Sequence, residues 1–517
     1  MKTTKSLLNS SSVLPLLLIL FSSLFFTNCK KNDPPKFPNV KLEPGYKLEK
    51  VVSGLSYPTS LTWDDHGKMY VAEAGGGLPP NQLAPARILK IEDGKAIPII
   101  DLSSKGIGVA VVGLVWYNGA FYFTHKNSTD NTGSVSRVTP DGALSTILAG
   151  LIDSKSEHQI NDIKVGPDGK MYVTLGLAAN AAVVGADGAP WLKESPDMHA
   201  TACYDIVLRG LNYKGLNPLT MDTVLTGAYV PIGTVTQPGQ VIKGTNKCGG
   251  SILMFDPANA EGTLSVYAWG FRNPIGISWN KKTGEMYLGE NGYDIRGVRP
   301  VNDEYDATLK VTKGEWYGIP DYSAAREPLT MAKFKSPDNL MAEVFLGSSQ
   351  PLGKVLDFVI DHAASGLTAP DPASVIGLHP VNASPSMLDV APESWGKFSG
   401  DVFVAEWGDL APPTNPLRNQ SVGSRIVRLS PGNQQPQPFV SNKQPGPASE
   451  QGKEGKGLER PFDVQFGPDG AMYIVDYGVV NINMALKPPY DSKAGTGVIW
   501  KVTKRDDNER DDNDYEE

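Results

Sequence analysis

Six segments of this chain end in nearly the same short phrase: GKMYV at 67–71, GAFYF at 119–123, GKMYV at 169–173, GEMYL at 284–288, GDVFV at 400–404 and GAMYI at 470–474. Five of them follow a second β-rich stretch, as in SLTWDDHGKMYV, GLVWYNGAFYFT and DVQFGPDGAMYI, so that an apolar strand meets a turn ending in Gly and an aromatic-rich strand leads away. Asn118-Gly119, Asp168-Gly169 and Asp469-Gly470 supply the positive φ that tight hairpins need. Each unit therefore reads as a hairpin. Six copies, with no long amphipathic helical pattern between them, predict an all-β fold: a six-bladed β-propeller of four-stranded antiparallel blades with long loop insertions. Gly67, Gly119 and Gly169 are 52 and 50 residues apart, the length of one such blade. The later gaps, to Gly284, Gly400 and Gly470, are 115, 116 and 70 residues and require insertions, read at about 177–250 and 294–395. The final strand, GVIWKVTK at 497–504, is placed to complete a blade with the start of the chain and so remove exposed edges. The propeller is read as one domain, 46–504.

Ahead of it, Lys2 and Lys5 precede a nearly unbroken apolar run at 13–26, and Cys29 follows in Thr27-Asn28-Cys29. This is signal-peptide grammar, and the run is shorter than the ~20 residues a spanning helix needs. Residues 1–28 are read as a lipoprotein signal peptide and Cys29 as the lipidation site. They resemble a bacterial lipobox, although Phe26 and Asn28 depart from its usual residues; ordinary secretion without lipid is the alternative. Residues 29–45 are polar and Pro-rich and read as a lipidated tether. The expected location is the cell envelope, lipid-anchored on the periplasmic side or at the outer membrane, with Lys30 and Lys31 favouring the latter. The net charge is −8, and residues 505–517 carry −6 of it, with eight acids against Arg505 and Arg510. That tail reads as a disordered, solubilising extension, and a near-neutral body offers nothing to attract nucleic acid. Cys203 and Cys248 bracket the first insertion and are expected to pair, since exported cysteines usually do. No CxxCH is present, which excludes a fused c-type haem.

The text around the third and fourth copies is more specific: EHQINDIKVGPDGKMYVTLG at 157–176, WGFRNPIGISWNKKTGEMYLGENG at 269–292, NDEYD at 302–306 and GEWYGIPDY at 314–322. In these phrases the chain resembles the glucose/sorbosone dehydrogenase family from about Leu48 to Lys504. The resemblance implies a six-bladed propeller that binds pyrroloquinoline quinone (PQQ) with Ca²⁺ and oxidises a sugar, or a related alcohol or aldehyde, passing electrons to an external acceptor. It places His158 at the family's catalytic base, a role that suits imidazole because a hydroxyl must lose its proton near neutral pH. Glu157 would orient that ring. Arg272 and Asn273, in FRNP, match residues that face the quinone, where an Arg suits both carboxylate contacts and developing charge. Arg460, in ERPFDV, matches a further carboxylate ligand. Asn291 matches a polar contact, and the carbonyls of Gly292 and Tyr293 match backbone ligands of Ca²⁺, which accepts carbonyl, water and cofactor oxygens together. Trp316 and Tyr317 match an aromatic pair near the cofactor plane.

Each of these residues also has a plainer reading. His158 could be a polar residue at a strand start, Arg272 and Arg460 pins between blades, and Trp316 core packing. Glu290, Asp303 and Glu304 could hold a structural ion or cap turns, and His379 is a second-rank candidate for a supporting role. The chain also departs from glucose-oxidising members. Leu177 replaces an Asp that touches sugar, a polar Gln has no counterpart in GVAVVGLVW, and a Lys expected near Ser424-Arg425 is missing. Glucose is therefore an unsafe guess. Two rival readings stay open: a Ca²⁺-dependent lactonase-type hydrolase, with Glu73, Glu290 and Glu406 as its metal cluster, and a non-catalytic carbohydrate- or partner-binding propeller at the cell surface.

Overall fold

The structure is a computed structural model and describes residues 37–76, 82–302, 304–410, 415–417, 421–430, 432–486 and 489–505. The leader, Cys29, the first part of the tether, Asp303 and the acidic tail beyond Arg505 lie outside these residues. The described chain is nearly all β, in antiparallel sheets mostly of four strands. Each repeated phrase opens the second strand of a different sheet, so the six hairpins read from sequence are all present. In chain order the hairpins are Pro58–Trp63 with Met69–Gly76, Leu114–Tyr117 with Ala120–Lys126, Ile160–Val165 with Met171–Leu175, Asn273–Trp279 with Met286–Asn291, Pro385–Val390 with Val402–Glu406, and Pro461–Phe466 with Met472–Asp476. We refer to the sheets that contain them as the first to the sixth.

The first strands of consecutive sheets pack side by side, and that of the sixth returns to that of the first. Polar side chains stitch this circuit. The Trp116 N–H donates to Thr62 Oγ1 at 3.0 Å, and Thr124 Oγ1 donates to the Asn161 carbonyl at 2.5 Å. Asp162 accepts from the Ile277 N–H at 3.1 Å, and Asp389 accepts both from Ser278 Oγ at 2.7 Å and from the Phe466 N–H at 2.9 Å. Asp463 accepts from the Leu61 N–H at 3.1 Å and closes the circuit. A hydrogen bond of this kind contributes about 1 kcal/mol net, or somewhat more on a carboxylate, and an orphaned buried partner costs more, so the set fixes which strand faces which.

A second regularity lies one layer further out. Where the first strand starts, a proline faces an acid at the end of the second strand: Pro58 opposite Glu73, Pro274 opposite Glu290, Pro385 opposite Glu406 and Pro461 opposite Asp476. Proline brings no N–H to the ladder there. In three of the four sheets the acid instead accepts the N–H of a residue just before the proline: Ser56 on Glu73 at 2.7 Å, Arg272 on Glu290 at 2.9 Å, and Arg460 on Asp476 at 2.8 Å.

The two chain ends meet in the sixth sheet, where Tyr46–Leu55 pairs antiparallel with Gly497–Lys504. Regular structure begins earlier than the sequence suggests. Val40–Leu42, inside the segment read as tether, adds an edge strand to Gln437–Asn442 of the fifth sheet, and the Phe37 ring meets buried Trp500 edge-on at 5.0 Å. A three-residue strand with one buried apolar side chain leaves too little periodicity to show in a polar, Pro-rich stretch.

The first insertion lies where the sequence places it, and the second is narrower than expected. One runs from 176 to 250, between the second and third strands of the third sheet. The other runs from 312 to 374, because Asp306–Val311, Val375–His379 and Pro385–Val390 are strands of the fourth and fifth sheets. Both meet in one small sheet, in which Leu211–Leu216 of the first insertion pairs with Val344–Leu346 of the second. A disulfide joins Cys203 to Cys248, with Cα atoms 5.0 Å apart. No helix among the described residues is long and apolar enough to cross a membrane.

Deleting residues 37–45 removes the edge strand and the Phe37 contact, and should lower stability by about 2 kcal/mol while leaving a folded monomer. Deleting through Leu55 should instead expose the Gly497–Lys504 edge and give aggregated protein on size-exclusion chromatography. Equal behaviour of the two truncations would contradict the role given to the terminal strand pair.

Candidate active site

One cavity opens where the first strands of the second to sixth sheets begin. The third sheet contributes His158 and Asn161, the fourth Asn273 and Asn291, the fifth Ser386 and Trp407, and the sixth Phe462. Trp191, from the first insertion, adds an aromatic wall.

His158 is buried, at 5 % exposure, immediately before the strand Ile160–Val165. Its Nδ1–H donates to the Leu177 carbonyl at 2.7 Å, the ring's one hydrogen bond among the described residues. A donating Nδ1 leaves Nε2 as the basic nitrogen. Burial, with Arg272 and Arg296 close by, holds the imidazole well below its ordinary value of 6.5, so the ring stays neutral at physiological pH. Leu177 ties base to arginine through its backbone, because its own N–H donates to the Arg272 carbonyl at 2.7 Å. Packing at this point requires Gly176: a Cβ there would lie 2.5 Å from His158 Cβ and 2.8 Å from Asn273 Oδ1.

Arg272 is 3 % exposed and firmly held. Its Nη2 pairs with Asp294 at 2.6 Å and also donates to Asn180 Oδ1 at 2.9 Å, while Nη1 reaches only the Asn291 carbonyl, at 3.5 Å. Nη1 is thus the least engaged nitrogen of a guanidinium on the cavity wall. Asp294 also accepts from Arg296 Nε at 3.0 Å, and Arg296 pairs with Glu157 at 2.5 Å and Asp187 at 2.9 Å. Glu157 therefore binds Arg296, with no hydrogen bond to the His158 ring. Beside this network an amide relay links three sheets: Asn161 Nδ2 donates to Asn273 Oδ1 at 3.2 Å, Asn273 Nδ2 to Asn291 Oδ1 at 3.2 Å, and Asn291 Nδ2 to the Pro385 carbonyl at 2.9 Å.

His158, Arg272, Asn273, Asn291 and Gly292 thus come together around one cavity. Arg460, Trp316 and Tyr293 do not line it. Arg460, 1 % exposed, lies over the Trp407 ring with its guanidinium carbon 4.8 Å from the centroid, and donates to the Asp409 carbonyl at 2.7 Å. It positions the loop that carries Trp407, Gly408 and Asp409 into the cavity, from behind. Trp316 packs among Trp269, Tyr322 and His362 in the core of the insertions. Tyr293 is buried with its hydroxyl on the Tyr322 carbonyl at 3.2 Å. His379 is wholly enclosed between Glu406, at 2.8 Å, and Thr308, at 2.7 Å. The rival carboxylate cluster is not assembled: Glu73 pairs with Arg87 at 2.6 Å, Glu290 with Arg326 at 2.9 Å and Glu406 with Arg425 at 2.5 Å, each in its own sheet.

A flat, polycarboxylated quinone fits this donor set. Arg272 lines the cavity with Nη1 as its least engaged nitrogen, and the buried indole Nε1 of Trp407 has no hydrogen-bond partner among the described residues. For Ca²⁺ the carboxylates at hand are already committed. Asp306 accepts the Gly292 and Ser384 N–H groups at 2.7 Å each, and Asp294 holds two arginines. Among the described residues no three His, Cys, Asp or Glu side chains could hold a metal ion. A Ca²⁺ here would rest on carbonyl oxygens and on the oxygens of a bound quinone.

No family model matches the sequence, and no curated protein sequence matches it. Solved structures do. The holo form of the pyranose dehydrogenase PQQ domain from Coprinopsis cinerea superimposes with a TM-score of 0.52 at 14 % identity, covering 92 % of this chain and 98 % of that one. The iodide structure of a Carbohydrate-Active Enzymes Family AA12 protein from Trichoderma reesei gives 0.52 at 14 % identity, covering 91 % and 98 %, and the calcium structure of the same family from that organism gives 0.51 at 13 %, covering 92 % and 100 %. At such identities the likeness is one of fold, and it agrees with the family resemblance carried by the sequence motifs.

Sequence reasoning missed Lys126, Asn161, Asn180, Trp191, Asp294, Arg296 and Trp407. Asp294 and Arg296 stand in GYDIRG directly after the ENG phrase, so motif proximity was a usable signal. Trp191 lies in an insertion with no repeat to align it.

In ¹⁵N–¹H correlation spectra His158 should show the Nδ1–H tautomer and a titration midpoint below 6.5. Its depressed pKa means that the unfolded chain binds this proton more tightly, so the site loses stability as pH falls below 6.5, not as it rises. A midpoint above 6.5 would overturn this assignment.

Proposed function

We propose that the six sheets are the blades of a six-bladed β-propeller and that its cavity is the site of a PQQ- and Ca²⁺-dependent dehydrogenase for a sugar or a related alcohol or aldehyde. The observation that carries this reading is a neutral, cavity-facing His158 with its Nδ1 committed to Leu177, beside Arg272. Fold-level likeness to a PQQ domain supports the cofactor.

PQQ, when bound, supplies the two-electron acceptor for the hydrogen leaving the substrate carbon. The protein does the rest. His158 Nε2 takes the hydroxyl proton, and the Leu177 carbonyl steadies the resulting imidazolium through Nδ1–H. Arg272 Nη1 faces negative charge developing in the cavity, and Asp294 with Asn180 keeps that guanidinium from swinging away. Asn273 and Asn291 orient the occupant through their shared amide chain. Trp407 and Phe462 present flat faces suited to stacking, with Arg460 fixing the Trp407 loop from behind. Gly292, on the cavity wall, would offer its carbonyl oxygen to Ca²⁺. Electrons leave to an external acceptor, and Cys29 would tether the protein to the membrane of the cell envelope by lipid alone.

Apo protein given PQQ and Ca²⁺ should bind the quinone and reduce a redox dye with at least one aldose, alditol or aldehyde. A His158→Ala variant should lose about 100-fold or more in kcat while binding PQQ as before. No quinone binding by the parent protein would end the dehydrogenase reading, whereas full turnover by the variant would remove only the assigned base. In the host envelope, Cys29→Ala should move the protein from the detergent-soluble membrane fraction to the aqueous one; retention in the membrane would refute the lipid anchor.

A further inference from the structure

Lys126 ends the second strand of the second sheet, on the cavity wall that it shares with Glu157, His158 and Trp191. It is 8 % exposed. Its Nζ donates to the Ser156 carbonyl at 2.8 Å, and the ammonium makes no ion pair among the described residues. The arginines of the site differ: Arg272 and the half-buried Arg296 each hold an acid, at 2.6 and 2.5 Å respectively. The acids that act on Lys126 are more distant, Glu194 first and Glu157 second, and Glu157 is bound to Arg296. Burial consequently draws the lysine down to about 8, and it remains mostly charged at neutral pH. A buried ammonium without a counter-ion is unfavourable, and among the described residues one acceptor meets its three N–H donors. A cation held in this way beside the base, on a cavity wall, is a receptor for an anion.

We propose that Lys126 receives a carboxylate of the molecule that occupies this cavity, giving the site a second anion-binding point on a different sheet from Arg272. The carboxylate has two sources. It belongs either to the quinone, in which case the proposal rests on the PQQ reading above, or to the substrate, which would then be a sugar acid rather than a neutral sugar.

The variants Lys126→Met, which keeps the aliphatic stem, and Lys126→Arg, which keeps the charge, separate these sources. Their folding is checked by thermal melts, in which the Met variant should be at least as stable as the parent. PQQ affinity is read by quenching of tryptophan fluorescence, and binding of D-glucuronate against D-glucose to the apo protein by thermal shift. A loss of about tenfold or more in PQQ affinity in Lys126→Met, with recovery in Lys126→Arg, assigns the carboxylate to the quinone. Unchanged PQQ affinity with loss of a glucuronate-specific shift assigns it to the substrate. Should the parent bind no PQQ yet show a Lys126-dependent glucuronate shift, the PQQ reading falls and this proposal stands. If neither ligand distinguishes Lys126→Met from the parent, or the parent binds neither, the proposal is overturned.

Discussion

The structure depends on a circuit of first strands that closes on itself. Strand-to-strand contact between neighbouring sheets is mainly apolar and would tolerate sliding. The side-chain bonds from Thr62, Thr124, Asp162, Ser278, Asp389 and Asp463 to the adjacent strand do not tolerate it, because each slip would strand a buried polar group. The same circuit brings residues more than three hundred positions apart to one cavity, and the pairing of Tyr46–Leu55 with Gly497–Lys504 keeps it from opening.

The site stands on the rigid starts of those strands, while the insertions supply what the strands cannot. Asn180 and Asp187 from the first insertion and Asp294 and Arg296 from the loop after the fourth hairpin form a connected charge network behind Arg272 and His158. Arg272 therefore keeps one orientation, and burial, helped by the cations beside it, keeps the His158 ring neutral. The same proximity that would be a defect in a core becomes useful for a base that must accept a proton.

Much of this was legible in the sequence, for a physical reason. A hairpin needs positive φ at a turn and alternating β-formers on each side, both local properties, so six hairpins could be read one at a time. His158, Arg272, Asn273 and Asn291 were legible because the phrases that carry the family resemblance flank repeated hairpins, where strand geometry holds them in place. Arg460 and Trp316 show where this fails. Each also sits near a recognisable phrase, but Arg460 turns behind Trp407 and Trp316 turns into the insertion core, and side-chain direction beyond a strand end is a tertiary property. The strand Val40–Leu42 was hidden because its partner, Gln437–Asn442, lies some four hundred residues away.

By itself, then, the sequence determined the hairpins, their number and the residues nearest their strands, since short-range backbone preference and alternation are written residue by residue. Tertiary structure alone decided which charges meet. That Glu157 serves Arg296 and not His158, that the insertions pair through Leu211–Leu216 and Val344–Leu346, and that Lys126 lines the cavity with no ion pair among the described residues all follow from contacts between distant segments. Such contacts depend on how the closed circuit brings loops together, and no local pattern encodes that distance.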